Sequence, residues 1–131
     1  MDTTVRVRYA ETDRMGVAYY ANHFVWFELG RTELFRRRGY AYRQLEQQEG
    51  CTIVVAEAHC RYHAPVGYDD VLTIRTRSRA VQFSYEVLGE DGSLVATGET
   101  LHVITDRDGR PRSLPEQYRK LLEGRGSKVS G

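Results

Sequence analysis

One stretch near the N-terminus, from about Tyr20 to Arg38, carries its apolar side chains at helical spacing, while the patterned segments after it repeat mostly with a period of two. Phe24, Phe27, Arg31, Leu34, Phe35 and Arg38 fall three and four residues apart, and Trp26 and Leu29 widen the stripe. A helix of about 18 residues measures roughly 27 Å at 1.5 Å per residue, long enough to lie across a five-stranded sheet. Asn22 reads as its N-cap. Gly39, following Arg36, Arg37 and Arg38, reads as its stop, with cations at the negative end of the helix dipole. Gly30 in mid-helix costs about 1 kcal/mol relative to alanine, which a close approach of helix backbone to sheet would explain.

The remaining elements are mostly strands. Thr3 to Tyr9 alternates, with Val5 and Val7 on one side and Arg6 and Arg8 on the other. Tyr42 to Gln48 suggests a short helical piece, and Thr52 to His63 is a strand ending at Pro65-Val66-Gly67. Val71 to Ala80 alternates, and Val81 to Leu88 places Phe83, Tyr85 and Val87 on one face. Glu90-Asp91-Gly92 is a hairpin turn, because glycine accepts the positive φ that a tight turn requires. Leu94 to Thr105 is the last long strand, closed by Asp108-Gly109. Ser113-Leu114-Pro115-Glu116 matches a capping box opening a terminal helix to about Leu122. The Gly/Ser/Lys-rich end, Gly124 to Gly131, is expected to be disordered, leaving one domain over residues 1–123.

The class is therefore α+β, in the order β-α-β-β-β-β with a short C-terminal helix: a five-stranded antiparallel sheet, joined largely by tight turns, around one long helix. One helix covers one face only, so the other face and the edges invite a partner, and a homodimer or homotetramer is expected. The 19 basic and 18 acidic residues nearly cancel, which argues against a dedicated nucleic-acid binder. No apolar run is long enough to span a membrane, and the N-terminus does not read as a signal peptide. Cytoplasmic location is expected, with Cys51 and Cys60 reduced.

The loop before the long helix holds the most chemistry. Tyr9 to Phe24 contains Glu11, Asp13, Gly16 and the run Tyr19-Tyr20-Ala21-Asn22-His23. A helix N-terminus presents unpaired N–H groups and a partial positive charge, which can polarise a carbonyl. Gly16 would let the backbone pass close to a ligand, and Asp13 could attack a polarised thioester or activate water to do so. On spacing alone, Asp13 or Glu11 could equally decorate a loop.

The segment Asp13-Arg14-Met15-Gly16-Val17-Ala18-Tyr19-Tyr20, preceded by a strand and followed by an aromatic-rich helix, resembles the signature of the 4-hydroxybenzoyl-CoA thioesterase and YbgC-type family. The resemblance runs from Val5 to about Leu122 and includes Tyr62 to Leu72, with its aromatic, proline and aspartates before a strand. It implies the hot-dog fold, hydrolysis of acyl-CoA thioesters, and Asp13 as the catalytic carboxylate, acting as nucleophile or as general base. It also implies that the backbone N–H of Tyr20 polarises the thioester carbonyl while Gly16 shapes the loop. YbgC-type members commonly have His where this chain has Tyr20, and the Tyr-Tyr-Ala-Asn run is closer to the 4-hydroxybenzoyl-CoA branch.

Tyr19, Phe24 and His23 are the further candidates for substrate contact, although His23 in the first helical turn reads more readily as solvent-facing. Arg75, Arg77 and Arg79 alternate on one strand face, either as a cradle for CoA phosphates or as a surface salted by Glu86 or Glu99. His59 and His63 lie about 13 Å apart along a strand, too far to share a metal, so no metal site is expected. The expected reaction needs no cofactor, since CoA is part of the substrate, whether acyl-CoA or a thioester of acyl carrier protein. A hot-dog hydratase or dehydratase and a non-catalytic acyl-thioester binding protein are the rival readings.

Overall fold

The computed structural model describes residues 1–39 and 42–123; the end segment expected to be disordered lies outside them. The elements are β1 (Asp2–Arg6), a 3-10 turn (Tyr9–Glu11), α1 (Asn22–Arg37), α2 (Tyr42–Glu49), β2 (Thr52–Tyr62), β3 (Val71–Arg79), β4 (Gln82–Leu88), β5 (Leu94–Thr105) and α3 (Glu116–Leu122). The five strands form one antiparallel sheet in the order β1-β3-β4-β5-β2. The hairpins β3–β4 and β4–β5 join neighbours, as the turn signals require. β2 and β3 are not neighbours: the segment between them carries the chain from one edge of the sheet to the strand beside β1.

Helix α1 packs on the sheet through His23, Trp26, Phe27, Gly30, Arg31, Leu34 and Phe35, a stripe alternating in steps of three and one. Leu29 falls outside it, exposed, and Phe24 is only half buried. Fully burying side chains such as Phe27, Leu34 and Phe35 contributes about 1.5–3 kcal/mol each. Beneath the helix, a Cβ on Gly30 would stand 2.4 Å from Thr76 Oγ1 and 3.0 Å from Ile74 Cγ2, so the backbone contact does require glycine. Phe27 stacks on Tyr85 with centroids 4.3 Å apart, in room left by Gly98 of β5. Val7, Leu45, Leu72, Ile74, Phe83, Val87, Ile104 and Tyr118 complete the core.

Two expected caps are absent. Asn22 is the first residue of α1, not its cap; Ala21 holds the cap position, and the Asn22 amide instead donates to Glu11 O at 2.9 Å. Likewise Ser113 does not cap α3, because the helix starts only after Pro115, two residues beyond its reach. The three arginines ending α1 are ties as well as dipole partners: Arg37 donates to Asp2 O and Arg38 to Ser78 Oγ. No helix among the described residues is long and apolar enough to cross a membrane.

Candidate active site

After β1, the chain makes the Tyr9–Glu11 turn and then a small hairpin. Thr12 bridges Ala18, Asp13 N–H donates to Val17 O at 2.8 Å, and Tyr19 N–H donates to Glu11 O at 2.8 Å. Gly16 closes the tip at φ +82°, with its N–H on Asp13 O at 3.0 Å. A side chain is strained at that φ, which gives Gly16 its loop-shaping role. The hairpin is anchored from outside by the Val17–Gly67 bridge and by Ala18 N–H on Val66 O at 2.7 Å. Asp13 thus stands on a tied loop. Its carboxylate is exposed, and Oδ1 accepts the Met15 N–H at 2.8 Å, which holds its orientation and leaves Oδ2 open.

Glu11 is the buried hub of this loop, 5% exposed. Its Oε1 accepts Arg8 N–H at 2.7 Å, and its Oε2 accepts Trp26 Nε1–H at 3.2 Å, fastening the loop to α1. The sequence offered no sign of this role, because the partner Trp26 lies in another element.

The turn entering α1 is wound tightly. Asn22 N–H donates to Tyr19 O, His23 N–H to Tyr20 O and Phe24 N–H to Ala21 O. Tyr20 O also accepts the Tyr62 hydroxyl at 2.9 Å, from the end of β2. The N–H groups of Tyr20 and Ala21 have no acceptor among the described residues. In a trans peptide the N–H lies opposite the C=O. Holding the carbonyls of Tyr19 and Tyr20 back toward the helix therefore turns both N–H groups outward, ahead of its first turn. No acidic residue in that turn offsets the positive end of this 16-residue helix. The arrangement is a pair of open donors on the same tied segment as an oriented carboxylate, and such donors can stabilise an oxyanion. Tyr20 sits two residues before the helix rather than on its first residue.

The other expected site residues divide. Tyr19 and Tyr20 are exposed, their rings 4.7 Å apart, and with Met15 they give the loop an apolar surface. Phe24 turns instead onto Phe27, centroids 5.8 Å apart, a packing role. His23 is not solvent-facing but 4% exposed, wedged edge-on between Trp26 and Tyr62 at 4.7 and 4.9 Å, because its position falls on the buried stripe. Burial pushes its imidazole down to about 4, and its Nδ1 has no partner among the described residues. Burial is also the main cause that pushes the Tyr62 phenol well above its ordinary range, so it remains a donor.

Arg75 and Arg77 lie elsewhere. Ile74 and Thr76 face Gly30, so their alternating neighbours point out from the opposite face of the sheet. Arg75 there clasps Asp2, Nε–Oδ1 3.0 Å and Nη2–Oδ2 3.1 Å, which holds the Asp2 carboxyl below its ordinary range. Neither guanidinium group contacts Asp13 among the described residues.

The family profile of the thioesterase-like superfamily matches residues 7–122. The chain is 32% identical over 118 residues to "Acyl-CoA thioester hydrolase YbgC" of Escherichia coli O157:H7, covering 86% of this chain and 87% of that one. It superposes on an Aquifex aeolicus protein of hypothetical function with a TM-score of 0.86 and 31% identity, covering 93% and 98% of the two chains. It superposes on the DHNA-CoA thioesterase of Staphylococcus aureus with a TM-score of 0.83 and 29% identity, covering 98% and 89%. The sheet-and-helix architecture is therefore the hot-dog fold of thioesterases, and the chain belongs to the thioesterase-like superfamily.

Proposed function

We propose that this protein hydrolyses an acyl or aryl thioester of CoA to the free acid and the CoA thiol, with Asp13 as catalytic carboxylate. The supporting observation is the pair of open N–H groups at Tyr20 and Ala21, held ahead of α1 on the same tied segment as Asp13. As the thioester carbonyl is attacked, its oxygen gains the negative charge that these donors and the helix terminus accept; one such donor is worth about 10²–10³ in kcat. If Asp13 is the nucleophile, its oxygen bonds to the carbonyl carbon, the thiolate departs, and water opens the resulting anhydride. If it is the base, it takes a proton from water as water attacks, and the thiolate leaves in the same way. Every group in either route comes from the chain, the thioester or water, so neither a metal nor an organic cofactor is required.

Met15, Tyr19 and Tyr20 offer apolar surface for the acyl group, and the names of the YbgC and DHNA-CoA relatives favour CoA over carrier protein as its bearer. We further propose a homodimer or a tetramer built from it. β2 is an edge strand of 11 residues, exposed over most of its length, with Val54 and Val55 uncovered. An open edge of this kind favours pairing with a second copy. A cytoplasmic setting fits the free thiols of Cys51 and Cys60.

Incubation with a panel of acyl-CoAs and one carrier-protein thioester tests the reading. Thiol release is expected; a change in enoyl absorbance without thiol would instead mean a hydratase, and binding without turnover a carrier. Asp13→Asn should lose at least about 100-fold in kcat with an unchanged fold by circular dichroism. Full activity in that variant would remove the assignment.

A further inference from the structure

Glu11 stands between the two halves of the proposed site, and its main chain and side chain hold different parts of it. The carbonyl oxygen accepts Tyr19 N–H at 2.8 Å and the Asn22 side-chain amide at 2.9 Å. The Tyr19 carbonyl in turn accepts Asn22 N–H at 3.0 Å. The Tyr19–Tyr20 peptide, which carries one of the open N–H groups, is thereby closed into a ring of hydrogen bonds on Glu11. In that planar unit the Tyr20 N–H points opposite the Tyr19 carbonyl, so its aim follows from where Glu11 and Asn22 hold the peptide. In the other direction Asp13 lies two residues from Glu11, and Thr12 between them bridges Ala18.

The carboxylate fastens this assembly to the body of the helix. Oε1 accepts Arg8 N–H at 2.7 Å, Oε2 accepts Trp26 Nε1–H at 3.2 Å, and the Arg8 guanidinium stands 3.4 Å from Oε2. Glu11 is 5% exposed and Trp26 1%, and an acidic side chain is seldom buried so far unless it is paired. Trp26 belongs to the stripe of α1 that packs on the sheet, so the loop is tied to the core. A backbone N–H and an indole N–H can only donate. The position therefore calls for an acceptor at both oxygens, which a carboxylate supplies and an amide does not. Glutamine there would turn an NH2 group toward one of the two donors, and a buried donor left without an acceptor is costly.

We propose that Glu11 is a positioning residue for thioester hydrolysis: it sets where Asp13 stands relative to the Tyr20 and Ala21 donors, while its own burial keeps it from the substrate. The role rests on the activity proposed above. Attack and charge stabilisation act on one carbonyl group at once, so carboxylate and donors must keep one mutual geometry. A misplacement of about 1 Å can cost about 10²-fold in rate. The loss of such a joint falls on kcat rather than KM, because the alignment matters as charge develops in the transition state.

Trp26 is the single tryptophan of the chain, so its indole N–H gives one NMR signal that reports the joint directly. The test measures kcat and KM on the acyl-CoA that the wild type turns over fastest, for the wild type, Glu11→Gln, Trp26→Phe and the double variant. Glu11→Gln should lose about tenfold or more in kcat with KM within about threefold. It should also move the indole signal and leave the amide signals of β4 and β5 in place. Trp26→Phe removes the donor that the glutamine amide confronts, so the double variant should fall no more than about twofold below Trp26→Phe alone. If Glu11→Gln does not fold, Asn22→Ala decides: it deletes the side-chain tie to the Glu11 carbonyl and should lower kcat with KM little changed. An unchanged kcat, a loss carried by KM alone, an unmoved indole signal, or losses that multiply in the double variant would overturn the proposal. A wild type that releases no thiol from any acyl-CoA overturns the enzymatic reading, and the positioning role falls with it. An active wild type matched by Glu11→Gln overturns the positioning role alone.

Discussion

His23 and His102 show what a single position can mean once it is buried. Each reads in sequence as an ordinary polar residue, yet each sits at 4% exposure or less and is held neutral down to about pH 4. The unfolded chain takes up these protons near 6.5. Their stabilising contribution is therefore fully present above that value and is lost as pH falls from 6.5 toward 4, by up to about 3 kcal/mol for each. The Asp2 carboxyl, held low by Arg75, gives way only in more acid solution, below the ordinary carboxylate value of 3.8, so the two effects separate. Urea midpoints measured from pH 7.5 to 4.5 should fall steadily across the histidine window. A midpoint constant between pH 7 and 5 would contradict two buried neutral imidazoles. Asp13 illustrates the opposite case: its type and its spacing from Gly16 and Tyr20 were legible directly, since they lie within one short loop.

The start of α1 is the element on which the proposed chemistry depends, and β2 holds it. The Tyr62 hydroxyl fixes the Tyr20–Ala21 peptide plane from 42 residues away in sequence, and with it the outward aim of the Ala21 N–H. Tyr62→Phe keeps the ring packed edge-on against His23 but deletes this bond. The expected result is a kcat lower by about tenfold with KM little changed, because the lost aim matters when charge develops on the oxygen. The loss should shrink for a dithioester substrate, whose sulfur accepts hydrogen bonds poorly. Equal losses on both substrates, or a change in KM alone, would make Tyr62 a packing residue only. The elements themselves were largely readable: α1, β4 and β5 follow their periodicity to within two residues at each end. The caps were not, because Asn22 and Ser113 have side chains suited to capping, but the preceding backbone decides which residue occupies the cap.

At the scale of the whole molecule, the sheet order leaves β1 and β2 at its edges, β2 being the longer at 11 residues against 5. Sedimentation at micromolar concentration should give a mass at least about twice the 15.1 kDa of the chain. A stable monomer there would remove the dimer.

The sequence by itself determined the α+β class, the long helix, the glycine at the helix–sheet contact and the loop carboxylate. All of these follow from local spacing, local turn chemistry or residue size. Tertiary structure alone decided that Glu11 is a buried hub, that Tyr62 holds the helix start, that His23 is buried and that His102 ends a buried hydrogen-bonded chain beginning at Arg31. Those contacts join elements far apart along the chain, and no periodicity encodes them. They exist only once β2 has crossed to the far edge of the sheet and the strand order has brought their partners within hydrogen-bond distance.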